Sequence, residues 1–158
     1  MKGNAKLIET LNSLLADELT AINQYIVHAE INENFGYGRL HEIAQKRAID
    51  EMKHAEKLVA RIIFLEGKPA VNTLREMSIK VEAPAQFKSD LGLEMGAVKA
   101  YNAAIKLAGD VGDFATRELL EHILLDEDRH VDVLEENIDQ IEQMGVQVYL
   151  ARQITEAK

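Results

Sequence analysis

Two glutamate–histidine pairs, Glu51-Met-Lys-His54 and Glu127-Asp-Arg-His130, share one spacing. On a helix, residues three apart lie on one face, so each pair offers a carboxylate and an imidazole to the same point. Two further glutamates occupy positions where apolar residues belong. Leu7, Leu11, Leu15, Glu18, Ile22, Tyr25 and Ala29 recur at steps of three and four, as do Phe87, Leu91, Glu94, Val98, Tyr101 and Ile105. Glu51 heads a third stripe through Ala55, Leu58, Ile62 and Leu65, and Glu127 interrupts a fourth from Leu120 through Leu124, Val131 and Leu134 to Ile141. Such stripes face a core, and a buried ionised carboxylate costs several kcal/mol unless it is paired. Four of them, one per stripe, require a shared compensating charge, and the first, third and fourth stripes have no Lys or Arg near their middles.

An offset of 76 residues relates Glu18 to Glu94, Glu51 to Glu127 and His54 to His130, and also Tyr25 to Tyr101 and Asp50 to Asp126. The chain reads as two related helix pairs whose pseudo-symmetry brings four glutamates and two histidines together. Four carboxylates balance two divalent cations. With no cysteine in the chain, the donor set suits first-row metals held by oxygen and nitrogen, the set known from di-metal four-helix bundles.

Four long helices must position these residues. Ala, Leu, Ile, Glu and Lys dominate, with 9 glycines and 2 prolines in 158 residues, and this composition favours helix. Punctuation predicts helices over 5–34, 39–66, 84–108, 113–144 and, briefly, 147–156, with Asn4 and Asp113 as caps and Pro84 in a first turn. The long ones would be about 40 Å each. Residues 67–83 have no clear period and can span about 56 Å when extended, enough to run back along a helix. The expected fold is all-α: an antiparallel four-helix bundle with one long crossover and a short fifth helix, as a single domain over 1–158. A formal charge of −9 argues against nucleic-acid binding and favours cations. No stretch is long and apolar enough to span a membrane, and the start has no apolar signal region, so the expectation is a soluble cytoplasmic protein.

The opening MKGNAKLIETLN, the stretch ELTAINQY, the block IDEMKHAEKLVARIIFLEG and the segment LLDEDRHVDVLE resemble the bacterioferritins, the haem-containing branch of the ferritin family, and the likeness covers essentially the whole chain. It implies that Glu18, Glu51, His54, Glu94, Glu127 and His130 form a di-iron ferroxidase centre. Glu51 and Glu127 would bridge, Glu18 with His54 would complete one site, and Glu94 with His130 the other. Tyr25, seven residues after Glu18, could hydrogen-bond the site. The resemblance also implies Fe²⁺ oxidation by O₂ or H₂O₂, mineral storage in a hollow shell of 24 subunits, and an electron-donor protein for iron release.

Met52 lies between two centre residues and so points away from the core. Ile49, Val59, Ile63, Leu19 and Ile26 extend an apolar surface around it, and spacing alone favours subunit packing there. The resemblance makes Met52 the axial ligand of haem b, one per subunit pair, in a pocket lined by Leu19, Ile22 and Asn23. Some members have a histidine at position 46 as an inner iron site. Lys46 stands here, which puts that inner site in doubt. Asn34, Glu66, Asp132 and Asp139 match residues of an iron channel in relatives. His28, His41 and His122 fall in no motif. A di-iron peroxidase resembling rubrerythrin and a metal-free helical scaffold are the alternative readings.

Overall fold

The computed structural model describes residues 1–156. Its elements are α1 (Ala5–Asn34), α2 (Gly38–Phe64), α3 (Ala83–Asp110), α4 (Phe114–Met144) and a short α5 (Val146–Ala151). The Asn4 side chain accepts a hydrogen bond from the Leu7 amide and that of Asp113 from the Thr116 amide, so two helix starts are capped by the residues the sequence nominates. Pro84 occupies the first turn of α3, where its missing N–H costs nothing.

Helices α1 and α2 pack as one hairpin and α3 and α4 as a second, with α1 against α3 and α2 against α4. The crossover lies along α1. Its residues bond in order to side chains of that helix: Lys68 and Ala70 to Asn12, Arg75 to Ser13, Asp17 and Thr20, Ser78 to Gln24, and Lys80 to His28. The segment thus climbs parallel to α1 and delivers α3 at the opposite end of the bundle. These bonds satisfy crossover backbone groups that no helix or sheet serves.

Helix α3 runs to Asp110, two residues past expectation, and the ends of α2 and α5 fall short of it. Helix α2 stops at Phe64, before the expected Glu66, because Glu66 turns left-handed at φ 62°. Gly67 is required for close approach: a Cβ there would stand 2.6 Å from Ile8. Helix α5 ends at Ala151 while 147–156 was expected. The tail leaves the helix to cap α2, where the Arg39 amide donates to the Gln153 carbonyl at 3.1 Å, and Thr155 occupies the space a side chain at position 38 would need.

Apolar residues fill both ends of the bundle. Leu7, Leu11, Leu15, Leu58, Ile62, Leu120 and Ile123 pack one end. Leu40, Phe87, Leu134 and Tyr149 pack the other. The buried acids lie between these clusters. Among the described residues no helix is long and apolar enough to cross a membrane.

Candidate metal centre

Each long helix contributes to one buried cluster. Glu18 comes from α1, Glu51 and His54 from α2, Glu94 from α3, and Glu127 and His130 from α4, every one less than a tenth exposed. Their donor atoms form two groups, Glu18–Glu51–His54–Glu127 and Glu51–Glu94–Glu127–His130, each within 4.8 Å. Glu51 and Glu127 are common to both. His54 Nδ1 lies 2.8 Å from Glu127, 3.1 Å from Glu51 and 3.6 Å from Glu18. His130 Nδ1 lies 2.8 Å from Glu51 and 3.5 Å from Glu94.

A surrounding layer orients these groups. The outer nitrogens of the imidazoles face aspartates: His54 Nε2 is 2.9 Å from Asp126, and His130 Nε2 is 3.2 Å from Asp50. Such pairing fixes which ring nitrogen faces a metal. The Tyr25 hydroxyl donates to Glu94 at 2.6 Å, and the Tyr101 hydroxyl donates to Glu18. Each tyrosine therefore crosses to the glutamate of the other hairpin. The Tyr25 contact agrees with the spacing, whereas the roles of Tyr101, Asp50 and Asp126 were not read from the sequence, although the 76-residue offset contained all three.

The charges are unevenly settled. Burial pushes Glu127 up to about 12. Burial, then repulsion from Glu51, raises Glu18 well above the usual carboxylate range. Glu51 moves the other way: burial opposes its charge, but bonds from Glu18, His130 and His54 hold it ionised below the usual range. Burial alone would lower both histidines. The surrounding carboxylates override it, raising His54 to about 12 and His130 to about 10. The cluster thus carries protons in positions where divalent cations would replace them. Glu94 Oε2 is buried without any hydrogen-bond partner, and Glu51 Oε1 and Glu127 Oε1 contact imidazole without an aligned hydrogen bond. A set of oxygens this poorly satisfied by protein donors is suited to a metal.

Two openings reach the cluster. A cavity of about 230 Å³ between α1 and α3 is lined by Glu18, Glu51, Glu94 and Glu127 and ends at Asp17 and Arg75. On the α2–α4 side, Lys46, Arg47, Asp50, Arg129 and His130 line a second cavity of about 330 Å³. Lys46 thus stands beside the centre at the position where a histidine was considered. Elsewhere, Met52 is 45% exposed beside a cavity of about 290 Å³ that Ile22, Ile26, Ala48 and Ile49 also line. Leu19 packs half-buried on the core, Asn23 is exposed, and neither lines that cavity. Asn34, Glu66, Asp132 and Asp139 are all exposed.

A second buried polar group escaped the sequence reading. His28, Asp90, Arg47 and Gln24 meet in the core next to Tyr25. Asp90, three residues after Phe87 and four before Glu94, and Arg47, four before Glu51, keep the helical spacing, but the stripes were traced through apolar residues and four glutamates and passed them over.

The model of the ferritin-like domain matches residues 8–144. The chain belongs to the ferritin family. Within the ferritins it is similar to the bacterioferritin of Rhodobacter capsulatus, with 40% identity across 93% of this chain and 91% of the relative. The bacterioferritin of Mycolicibacterium paratuberculosis is 36% identical over 96% of both chains, and that of Streptomyces coelicolor 34% identical over all of this chain and 95% of the relative. Ferritin membership, together with the buried Glu/His groups, supports iron binding and an iron-storage role.

Proposed function

We propose that the protein oxidises Fe²⁺ at the Glu/His centre and stores the ferric product inside a hollow shell of 24 copies. The observation that carries this reading is the sharing of Glu51 and Glu127 by two four-residue groups, which is the arrangement needed to hold two Fe²⁺ substrates side by side. Glu18 with His54 and Glu94 with His130 would then serve as the terminal ligands. Two Fe²⁺ together release two electrons, matching what O₂ takes to become H₂O₂, or H₂O₂ to become water. The chain's own work is binding, orientation and proton handling. Asp50 and Asp126 fix the imidazole rings, Tyr25 and Tyr101 hold the terminal glutamates, and the protons on His54, His130 and Glu127 leave as cations arrive. In Glu127→Ala and His130→Ala the fast phase of Fe²⁺ oxidation should fall at least about 100-fold with helix content kept. Unchanged fast oxidation in both would remove the centre from this account.

The exposed thioether of Met52 beside an apolar hollow also fits one half of a haem site, completed by a second subunit across a two-fold axis. A bound haem b would supply one-electron transfer, passing electrons from a donor protein to the mineral for iron release. Of the residues expected around it, Ile22 lines the hollow, while Leu19 and Asn23 lie outside it. Met52→Leu conserves volume, so packing should change by under about 1.5 kcal/mol. It should assemble and oxidise Fe²⁺ while losing the haem spectrum; a retained spectrum would end the axial role.

A further inference from the structure

The α1–α3 cavity has acids at its inner end, small residues along its wall and an ion pair at its outer end. Ala21, Gly92, Gly96 and Ala97 form the wall. Glycine is the poorest helix former after proline, yet two stand one turn apart inside α3. Neither has a positive φ, and a Cβ at either would meet nothing within 4 Å. No turn and no close neighbour requires them, so what they preserve is open space. At the inner end, Glu94 Oε2 is fully buried and unpartnered.

At the outer end Arg75 is the one cationic side chain among the described lining residues. The crossover carries it there, anchored by its own amide donating to Thr20 Oγ1 at 2.8 Å. Its guanidinium donates to Asp17 at 2.9 Å and to the Ser13 hydroxyl at 2.8 Å. The Arg75 and Asp17 side chains remain 46% and 34% exposed, and an ion pair that wet is weakly held.

We propose that Asp17 is the docking ligand for a divalent cation entering this corridor, and that Arg75 is the plug the cation displaces. The inference rests on the reading that the Glu/His centre takes Fe²⁺. A hydrated cation drawn by the acids exchanges with the guanidinium at Asp17, which leaves Arg75 tethered by Ser13 and Thr20. The cation then passes the glycines to Glu18 and Glu94. The crossover thereby acts on metal entry as well as on topology.

The test is Co²⁺ binding to the assembled metal-free protein, followed by its visible absorption both as an association rate and as an equilibrium count. Asp17→Asn should slow association about tenfold at low ionic strength, because one attracting charge is lost at the mouth. Gly96→Leu, which favours the helix but fills the corridor, should slow it at least as much. Arg75→Ala should speed it several-fold. All three should bind as many Co²⁺ at equilibrium as the unaltered protein. Wild-type rates in both Asp17→Asn and Gly96→Leu, or slower association in Arg75→Ala, would overturn the gate. Glu127→Ala separates the two ideas: it should lose part of the equilibrium count itself. If it does not, the centre is wrong; if it does while the mouth variants bind at wild-type rates, only the gate is wrong.

Discussion

His28 and Asp90 form an acid–imidazole pair buried as deeply as His54 and Glu127, at the same 2.8 Å separation. The two pairs nevertheless belong to different kinds of site. Around Asp90 the protein supplies the complement. Gln24 donates to Oδ1 at 2.8 Å, Arg47 stands 3.5 Å from Oδ2, and His28 is held from behind by the Lys80 amide, which donates to Nε2 at 2.9 Å. One carboxylate thus meets a guanidinium, an imidazole and an amide. Around Glu127 four carboxyl groups meet two imidazoles and no Lys or Arg, and carboxylate oxygens are left over, whereas beside Asp90 the atoms left over are nitrogens of Arg47 and His28. Burial of an acid beside a histidine therefore does not mark a metal site; the excess of acid over protein cation does. The first cluster pins the crossover to the bundle, and the second waits on a charge from outside.

The comparison breaks most visibly in stability. Asp90→Ala leaves Arg47 buried without its counter-ion and should cost about 3–5 kcal/mol. Melting of the metal-free protein should fall by roughly 10 °C, at about 2–4 °C per kcal/mol for a domain of this size. Glu127→Gln should cost nothing measurable in the same experiment, since burial already keeps that carboxyl protonated. If the two variants ranked in the opposite order by calorimetry, the distinction between the clusters would fail.

Protons sharpen it next. His54 and His130 hold protons far above the ordinary histidine value of about 6.5, and Glu127 far above its ordinary carboxylate value. Between about pH 6.5 and 10 the folded metal-free chain therefore binds more protons than the unfolded one, and its stability should decline as pH rises through that window. Cations must displace those protons, so Zn²⁺ affinity should rise about tenfold per pH unit for each proton released, across neutral pH and beyond 7. Calorimetric titration in buffers of different ionisation enthalpy measures the release; affinity flat from pH 6 to 8 would exclude a His/Glu centre.

The smallest effect divides the centre itself. Tyr101→Phe frees Glu18, and Tyr25→Phe frees Glu94, each removing one hydrogen bond worth about 0.5–1.5 kcal/mol. Each should shift one of two Co²⁺ binding steps by a few-fold and leave the other in place. Identical shifts of both steps in either variant would show that the two halves do not respond separately.

Much of this was legible beforehand because it repeats. The stripes, the interrupting glutamates and the 76-residue offset specify helices and the six convergent side chains. Caps at Asn4 and Asp113 are local signals and agree with the structure. What the stripes missed depends on contacts between distant segments. Asp90 and Arg47 meet each other from different helices, and the crossover amides of Ser78 and Lys80 hold their neighbours Gln24 and His28 in place. Helix α2 ends before Glu66 because that residue turns left-handed and lays Gly67 against Ile8, far away in sequence. Arg75 showed no pattern at all, since its partners lie on a helix more than fifty residues earlier.

The offset that unites the two hairpins holds only in part on their outer faces. Met52 and Ile26, both exposed, correspond to Asp128 and Asn102, which are exposed and polar, whereas Leu19 and Ile49 correspond to Met95 and Leu125, which are exposed and apolar. A chain with the apolar face on both hairpins would have two self-complementary patches, and every added copy would expose another, so assembly through them could extend into fibres. With a charge and an amide at the counterparts of Met52 and Ile26, the second face is weakened, and the two-fold pairing proposed around Met52 would close on itself. The departure from internal symmetry would bias that contact toward two copies and leave larger closed assemblies to other surfaces.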